Sequence, residues 1–332
     1  MRRSLARRHL TLAAALASVA LGLATCKRAP HGGPLRIAFF PNLTHAHALL
    51  GQGEGRFAQA VGAPVAMRQL NAGPAAMEAL LAGDVDVAYV GPGPAIIAFL
   101  RSRGAAMRVV AGAVSGGAVL VARTAKSAKD LAGKRVASPQ LGNTQDIALR
   151  TWVKSQGMAV GEGRSQVRVF PLSNSDILGL FARGEIEAAW VPEPWGARLR
   201  AEAGGHILVD ERDLWEERRF PTTVVMATRS ALETRRRDVV AVLRAHLALT
   251  DRWKADPAGF ARAANAEFGK LTGHPLSDPV LQDAFSRLEP TVDPLQRQLA
   301  LCARHAQELE FAPAGDVSGI VDASALEEAR AP

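Results

Sequence analysis

Two pairs of polar residues stand where an apolar, strand-like run gives way to a helix. Asn42 and Thr44 form the first pair, and Asn143 and Thr144 occupy the equivalent place about 100 residues later. A helix start presents unpaired backbone N–H groups and a partial positive charge, so it can hold an anion without a cationic side chain. Each of these residues is also a favoured helix N-cap. Singly they predict caps, and together, if they converge, they predict an anion site.

Further turn residues extend this candidate site. Glycine allows close backbone approach, and Asn or His can donate hydrogen bonds in a turn. The additional candidates of this kind are His45, Asn71, Gly73, Gly91 and Gly142. Ser173 and Asn174 stand at one more strand–helix turn. If all these turns lie at one sheet edge, we expect a polar ligand site there.

Aromatic residues follow two of the strand-like runs and could wall the organic part of a ligand. Tyr89 and Trp190 occupy matching positions, and for each of them packing in the core is an equally good interpretation. Trp195 lies in the loop that follows, which favours a wall over a core position. Glu193, in the same loop, completes the set of predicted ligand contacts.

The sequence does not favour catalysis or a resident metal or cofactor. His45 and His47 form an HxH pair, but residues two apart on a helix do not share a face. No cysteine or carboxylate cluster accompanies them, so zinc binding is a minor alternative. GxSxG, Walker A and strand-linked GxGxxG motifs are absent from the sequence. We therefore predict no catalytic residues, no metal, no cofactor and no enzymatic activity.

An internal duplication organises the chain. The segment 79–92 resembles the segment 180–194, and each consists of a helix end, a glycine stop, a short apolar strand and a proline-containing loop. The similarity extends upstream, so each half reads as strand–loop–helix–strand–loop–helix–strand–loop. Such alternation predicts an α/β protein in which each half is a mostly parallel sheet flanked by helices. Right-handed crossovers place the loops at one sheet edge, so two lobes would face each other across a cleft.

The chain passes between the lobes twice in this interpretation. Val109–Ala122 is a long glycine-containing apolar stretch suited to the first hinge crossing, and Thr222–Ala227 suits the second. We therefore expect lobe 1 to comprise residues 35–118 and 222–332, and lobe 2 to comprise residues 119–221. Helical stretches are predicted at Arg235–Lys254, Pro257–Phe268, Asp278–Phe285 and Pro294–Leu309.

The N-terminus carries an export signal. Residues 1–9 include four arginines, and Leu10–Leu23 is an apolar run of the length of a signal-peptide core. We predict a signal peptide over residues 1–25, lipidation of Cys26 and a tether over residues 26–34. Ordinary signal-peptidase cleavage near Ala24 is the alternative. Cys302 then has no cysteine partner and is predicted to be a small buried apolar residue.

The charge pattern excludes one large class of partners. The net charge of +8 owes half its value to the arginines of the signal peptide, and the remaining basic residues are interspersed with acidic ones. No basic run is interleaved with aromatic residues. We expect no nucleic-acid partner.

Several motifs resemble those of the aliphatic-sulfonate/taurine/nitrate class of ABC-transporter substrate-binding proteins. The motifs are Lys134–Pro139, Leu141–Thr144 and Trp190–Trp195, with Phe39–Ala46, Asn71–Pro74, Asp210–Trp215, Phe220–Thr223 and Ser318–Ile320. The resemblance covers about residues 35–325. It implies a type 2 periplasmic-binding fold with two lobes, two hinge crossings and closure on a small-molecule ligand.

The same resemblance implies a place of action and partners. Such a protein is a monomer at the outer face of the cell membrane or in the periplasm, and it delivers a small anion to an ABC permease and its ATPase. An aliphatic sulfonate is the leading ligand, with nitrate, taurine or a thiamine-type pyrimidine precursor as alternatives. A related enzyme branch makes that precursor with a cysteine-rich segment, which this sequence lacks. A sensory binding module is a further alternative.

Overall fold

Two β-sheets form the cores of two lobes in the computed structural model, which describes residues 33–331. The sheet of lobe 1 contains β1 (Leu35–Phe39), β2 (Val65–Gln69), β3 (Val87–Val90), β4 (Met107–Gly116), β10 (Pro221–Thr228) and β11 (Leu288–Pro290). The sheet of lobe 2 contains β5 (Ala118–Ala122), β6 (Arg135–Pro139), β7 (Arg168–Leu172), β8 (Ala188–Pro192) and β9 (His206–Asp210). The strand orders are β11-β4-β10-β3-β1-β2 and β7-β6-β8-β5-β9.

The duplication is visible in the strand pairing. β1 pairs in parallel with β2 and β3, and β6 pairs in parallel with β7 and β8 in the same way. Each third strand then meets an antiparallel strand, β10 beside β3 and β5 beside β8. Because β4 is antiparallel to β10 and β9 is antiparallel to β5, β4 runs in the direction of β1–β3 and β9 in that of β6–β8, so most strands of each sheet are parallel, as expected. β5 and β10, the strands by which the chain enters each lobe from the other, run in the opposite direction, which the local patterns did not reveal.

Helices cover both sheets. In lobe 1 they are α1 (Ala46–Gly53), α2 (Arg56–Val61), α3 (Gly73–Ala82), α4 (Pro92–Arg101), α8 (Arg229–Thr234), α9 (Arg236–Ala255), α10 (Pro257–Thr272), α11 (Asp278–Phe285), α12 (Gln296–Glu308) and α13 (Ser324–Arg330). In lobe 2 they are α5 (Thr144–Ser155), α6 (Asn174–Ala182) and α7 (Trp195–Ala203). The four helical stretches predicted near the C-terminus correspond to α9, α10, α11 and α12.

The central strands are apolar on both faces because each sheet is covered twice. In β1, Ile37 and Phe39 belong to one buried cluster while Ala38 belongs to the cluster on the opposite face. In β5, Leu120 and Val121 divide between two clusters of lobe 2 in the same way. Side chains alternate across a strand, so double burial produces a continuous apolar run.

The first passage between the lobes is a break between two strands. Gly116 and Gly117 both have positive φ, at 75° and 77°, so the predicted single strand over Val109–Ala122 is β4 and β5 with a sharp turn between them. A Cβ atom at Gly117 would lie 2.1 Å from Cδ2 of Leu288. The second passage lies alongside, because the N–H of Gly116 donates to the carbonyl of Phe220, just before β10 (3.2 Å). The two passages therefore form one narrow junction.

In the described part of the chain, no helix combines the length and apolar character needed to cross a bilayer. Cys302 is partly buried against the lobe 1 core, and burial raises the pKa of its thiol. The signal-peptide, lipidation and tether predictions, including Cys26, fall on residues outside the described range, apart from the last tether positions.

Candidate functional site

A small cavity lies between the lobes at the carboxyl ends of the parallel strands. Its volume is about 40 Å³, counted as the space open to the centre of a water molecule, which is room for about three water-sized groups. It is lined by Phe40, Asn42, Thr44, His45, Asn71, Ala72, Gly73, Gly91, Pro94 and Thr222 from lobe 1, and by Pro139, Asn143, Thr144, Gln145, Asn174 and Pro192 from lobe 2. The predicted turns from both halves thus face one cavity.

The floor on the lobe 1 side is the turn after β1, a short 3-10 helix. Thr44 and His45 are 2% and 3% exposed, and neither Oγ1 of Thr44 nor Nε2 of His45 has a hydrogen-bond partner among residues 33–331. Buried polar groups are normally hydrogen-bonded, so two unpartnered ones beside a cavity point to a ligand or water there. Asn42 does not cap this helix, and its Oδ1 is instead engaged by Trp195 of lobe 2.

His45 is a neutral donor. Its Nδ1 accepts a hydrogen bond from the backbone N–H of Phe40 (3.3 Å), which assigns the remaining proton to Nε2. Burial lowers the pKa of His45 to about 3, because the charged imidazolium loses its hydration. The residue therefore supplies one N–H group and no net charge at neutral pH.

The start of helix α3 completes lobe 1's side. Asn71, at the exposed edge of the cavity, precedes α3, whose N-terminus has no side-chain cap. Gly73 lets α3 approach α4, since a Cβ atom there would lie 2.2 Å from Cγ of Pro94. The first turn of α3 therefore keeps unpaired backbone donors near the cavity.

The lobe 2 side is built by the starts of α5 and α6. Asn143 caps α5, with its Oδ1 accepting from the N–H of Asp146 (2.8 Å), and still lines the cavity. Gln145 is 7% exposed, and its amide has no hydrogen-bond partner among the described residues. Oδ1 of Asn174 is buried and also unpartnered. Ser173 is the cap of α6 and lies outside the lining.

Direct contacts join the lobes around the cavity. The N–H of Gly93 donates to Oγ1 of Thr144 (3.2 Å), and Nε1 of Trp195 donates to Oδ1 of Asn42 (3.0 Å). A Cβ atom at Gly91 would lie 2.3 Å from Oγ1 of Thr144. Glycine at this position therefore allows the lobes to come together as closely as they do.

The structure places Tyr89 in the core and not in the cleft, which corrects its predicted place as a ligand wall. Its O–H donates to Nδ1 of His246 (3.1 Å), and Nε2 of His246 donates to the carbonyl of Gly112 (3.0 Å). His47 packs on His246 with ring centroids 4.4 Å apart. Burial lowers the pKa of His246 to about 4 and that of His47 well below its ordinary value. With His45, these are the three buried histidines of lobe 1.

Trp190 is likewise a core residue, so the wall interpretation fails for it as well. Its ring packs near Trp152 in lobe 2, and its Nε1 donates to Oε2 of Glu211 (2.7 Å). Burial raises the pKa of Glu211 to about 7. Strand alternation explains both corrections: the aromatic side chains point into the sheet's own packing layer while the following loop reaches the cavity.

Glu193 and Gly142 are also displaced from the predicted site. Glu193 is fully buried, its Oε1 lies 2.6 Å from Nε of Arg287 and its Oε2 accepts from the N–H of Ala197 (3.0 Å). This ion pair joins the lobes behind the cavity. Gly142 instead donates its N–H to Asp146 and lines a separate surface groove. Trp195 touches the cavity's rim through Asn42 and is half-buried.

Some lining residues escaped the sequence analysis. Gln145 directly follows the recognised Asn143–Thr144 pair, so its place in the same first helical turn was the available signal. Thr222 is the second residue of the strand that returns to lobe 1, and Pro139 and Pro192 end strands of lobe 2. Proline has no polar side chain, so a search for polar turn residues does not identify it.

The sequence of this chain matches a known protein family. Residues 28–267 match the NMT1-like family. A taurine-binding periplasmic protein of Escherichia coli strain K12 is 26% identical over 248 residues, which cover 70% of this chain and 71% of that protein.

Two solved structures share the fold. The alkanesulfonate-binding protein SsuA of Xanthomonas axonopodis pv. citri, bound to MOPS, superposes with a TM-score of 0.65 at 19% identity, covering 89% of this chain and 97% of that one. The periplasmic nitrate-binding protein NrtA of Synechocystis PCC 6803 gives 0.73 at 13% identity, covering 89% and 88%. These relatives are named as binding proteins and not for a reaction, in agreement with the prediction that the chain is not an enzyme.

Proposed function

Because the chain belongs to the NMT1-like family, we propose that it is the extracytoplasmic solute-binding protein of an ABC importer. Its ligand is a small anion, with an aliphatic sulfonate as the leading candidate, captured by closure of the two lobes. The observation that carries the proposal is the cavity lined from both lobes by buried polar groups without protein partners.

The chemistry of the cavity suits an oxyanion. Nε2–H of His45, the hydroxyl of Thr44 and the amide of Gln145 are available donors, and helices α3, α5 and α6 direct their N-termini towards the same space. Helix starts carry a partial positive charge of roughly half a unit. Phe40 and three prolines supply apolar surface for a short alkyl group. The oxygens of a sulfonate would be held by donors and its carbon chain by the apolar walls.

Closure distinguishes the ligand-bound protein from the empty protein. Ligand contacts from both lobes exist together only when the lobes meet, so a ligand shifts the population towards the closed form. The junction at Gly116–Gly117 and Phe220–Pro221 is the proposed hinge, with lobe 1 as residues 35–118 and 222–332 and lobe 2 as residues 119–221. The closed protein, a monomer, would then dock on the permease, whose ATPase drives import.

The proposed location is the outer face of the cell membrane, where acylated Cys26 anchors the protein. The family match begins at residue 28, two positions after this cysteine, which supports a mature protein that starts at Cys26. Intact-mass analysis of the protein from membranes tests this. A diacylglyceryl mass on Cys26 supports it, and a chain cut near Ala24 with an unmodified thiol contradicts it.

A binding screen with site variants tests the ligand proposal. Alkanesulfonates, taurine, nitrate, bicarbonate and pyrimidines are compared by thermal shift, and the best solute is measured by calorimetry. Asn143→Ala combined with Thr144→Ala should weaken anion binding at least tenfold, because each good hydrogen bond to a charged group contributes about 1.5–3 kcal/mol.

Ser173→Ala is the matched control, since it also removes a helix cap but leaves the cavity unchanged. Loss of a cap costs each protein about 1 kcal/mol of folding stability, so the two variants should melt similarly. If the double variant and Ser173→Ala bind the anion equally tightly, Asn143 and Thr144 do not contact the ligand. A pyrimidine as the best solute would contradict the anion proposal.

A further inference from the structure

The cavity has no formal charge of its own. The lining residues within the described chain include no lysine, arginine, aspartate or glutamate, and His45 is neutral. The polar side chains there are hydroxyls, amides and one imidazole. Any charge on a ligand must therefore be balanced by dipoles alone.

The nearest carboxylates behind the walls are already engaged. Glu193 pairs with Arg287 at 2.6 Å, and both side chains are buried. Asp146 is fully buried, pairs with Arg150 at 3.0 Å and accepts from the hydroxyl of Ser138 (2.6 Å). Neither carboxylate lines the cavity, so neither is placed to receive a ligand's ammonium group.

The positive field in the cavity is limited. Helix α4 adds little, because Pro92 and Pro94 lack N–H groups and the N–H of Gly93 is given to Thr144. Helices α3, α5 and α6 remain, each with a fraction of a unit charge. This field suits one negative charge, whereas a second charge in a buried site would go uncompensated.

Unpartnered side chains inside the cavity show where the ligand's oxygens would lie. His45 and Gln145, which are 3% and 7% exposed, face it from opposite lobes without protein partners. Both can donate to an oxyanion. A carboxylate that could pair with an ammonium is missing from this lining.

Resting on the proposed function, we infer that the cavity selects by charge: it takes a singly charged oxyanion without an ammonium group, such as an alkanesulfonate, and rejects both zwitterionic aminosulfonates and dianions. The specificity of the chain would thus differ from that stated in the name of its taurine-binding relative. Gln145 is the specificity-determining residue, because a carboxylate there would supply the missing partner.

Calorimetry with near-isosteric solutes tests this inference. Ethanesulfonate and 2-hydroxyethanesulfonate should each bind at least about 100-fold more tightly than taurine, because an unpaired buried charge is costly. Methanesulfonate should bind more tightly than sulfate by a similar factor for the same reason. Taurine binding as tightly as ethanesulfonate, or sulfate as tightly as methanesulfonate, would overturn the inference while leaving the proposed function intact. If no anion of either set bound, the proposed function would fail and the inference with it.

A charge swap gives a second, independent readout. Gln145→Glu should weaken ethanesulfonate binding and strengthen taurine binding, each at least tenfold, which reverses or narrows the preference. Gln59→Glu makes the same substitution on the exposed surface of α2 and should leave both affinities unchanged. A Gln145→Glu protein that unfolds normally in urea yet keeps the original preference would refute the role given to Gln145.

Discussion

The proposed closure of the lobes over the cavity depends on the missing side chain at Gly91. A Cβ atom there would lie 2.3 Å from Oγ1 of Thr144 and 3.5 Å from the carbonyl oxygen of Thr222. To reach 3.0 Å, the shortest contact that proteins tolerate, the gap to Thr144 must widen by about 0.7 Å. An open form, in which Thr144 lies away from Gly91, would bear no such cost, since φ −70° and ψ 154° at this position are values that alanine adopts freely.

The expected effect of Gly91→Ala follows from that asymmetry. Overpacking by one methyl group costs about 1–3 kcal/mol, and here the cost falls on the closed state alone. The dissociation constant for the best anion should therefore rise about 5- to 150-fold, while the urea unfolding midpoint of the ligand-free protein should not change. Calorimetry and ligand-free urea denaturation measure the two quantities.

Gly319→Ala is the matched control. Gly319 has no atom within 4 Å of its would-be Cβ, so this variant should bind and unfold like the wild type. If Gly91→Ala binds the anion as tightly as Gly319→Ala does, the tight contact with Thr144 is not part of the ligand-bound state. Closure of the lobes on a ligand would then not depend on glycine at position 91.

Two predictions concern the buried charges. Arg287→Met leaves Glu193 buried without its partner and should reduce the free energy of unfolding, measured in urea, by about 3–5 kcal/mol. Adding Glu193→Gln to this variant should restore most of the loss. If the single and double variants were equally destabilised, the ion pair would not be the cause of the loss. As pH falls below 6.5, each of the three buried histidines should lower the free energy of unfolding by about 1.4 kcal/mol per pH unit, because the histidine binds a proton in the unfolded chain but not in the folded one. Glu211 acts oppositely between pH 4.5 and about 7, since its folded form binds the extra proton, and it offsets one histidine. Urea denaturation at pH 7.5, 6.5 and 5.5 measures the net slope, and stability that rises on acidification would contradict it.

The repeated architecture was predictable because it is a local pattern used twice. Short apolar runs, glycine stops and polar turns recur in order, and burial of both sheet faces keeps the runs continuous. The turn residues Asn42, Thr44, Asn143 and Thr144 face one cavity because crossover handedness sends them to one edge.

What could not be predicted depends on direction and long-range pairing. The aromatic residues Tyr89 and Trp190 satisfy their polar atoms through His246 and Glu211, residues distant in sequence. Glu193 finds Arg287 94 positions away. Periodicity predicts which face of a strand a side chain lies on but not which distant residue it contacts there. Tyr89, Trp190 and Glu193 lie at the predicted sheet edge, but their side chains are buried in the core and do not face the cavity.

A crystal structure with ethanesulfonate bound would show directly whether the ligand lies between the lobes. We expect ligand density between the lobes, with sulfonate oxygens near Nε2 of His45 and the amide of Gln145, and the Trp195–Asn42 contact intact. Density in the larger groove beside Trp253 and Phe285, with the cavity between the lobes empty, would contradict this expectation.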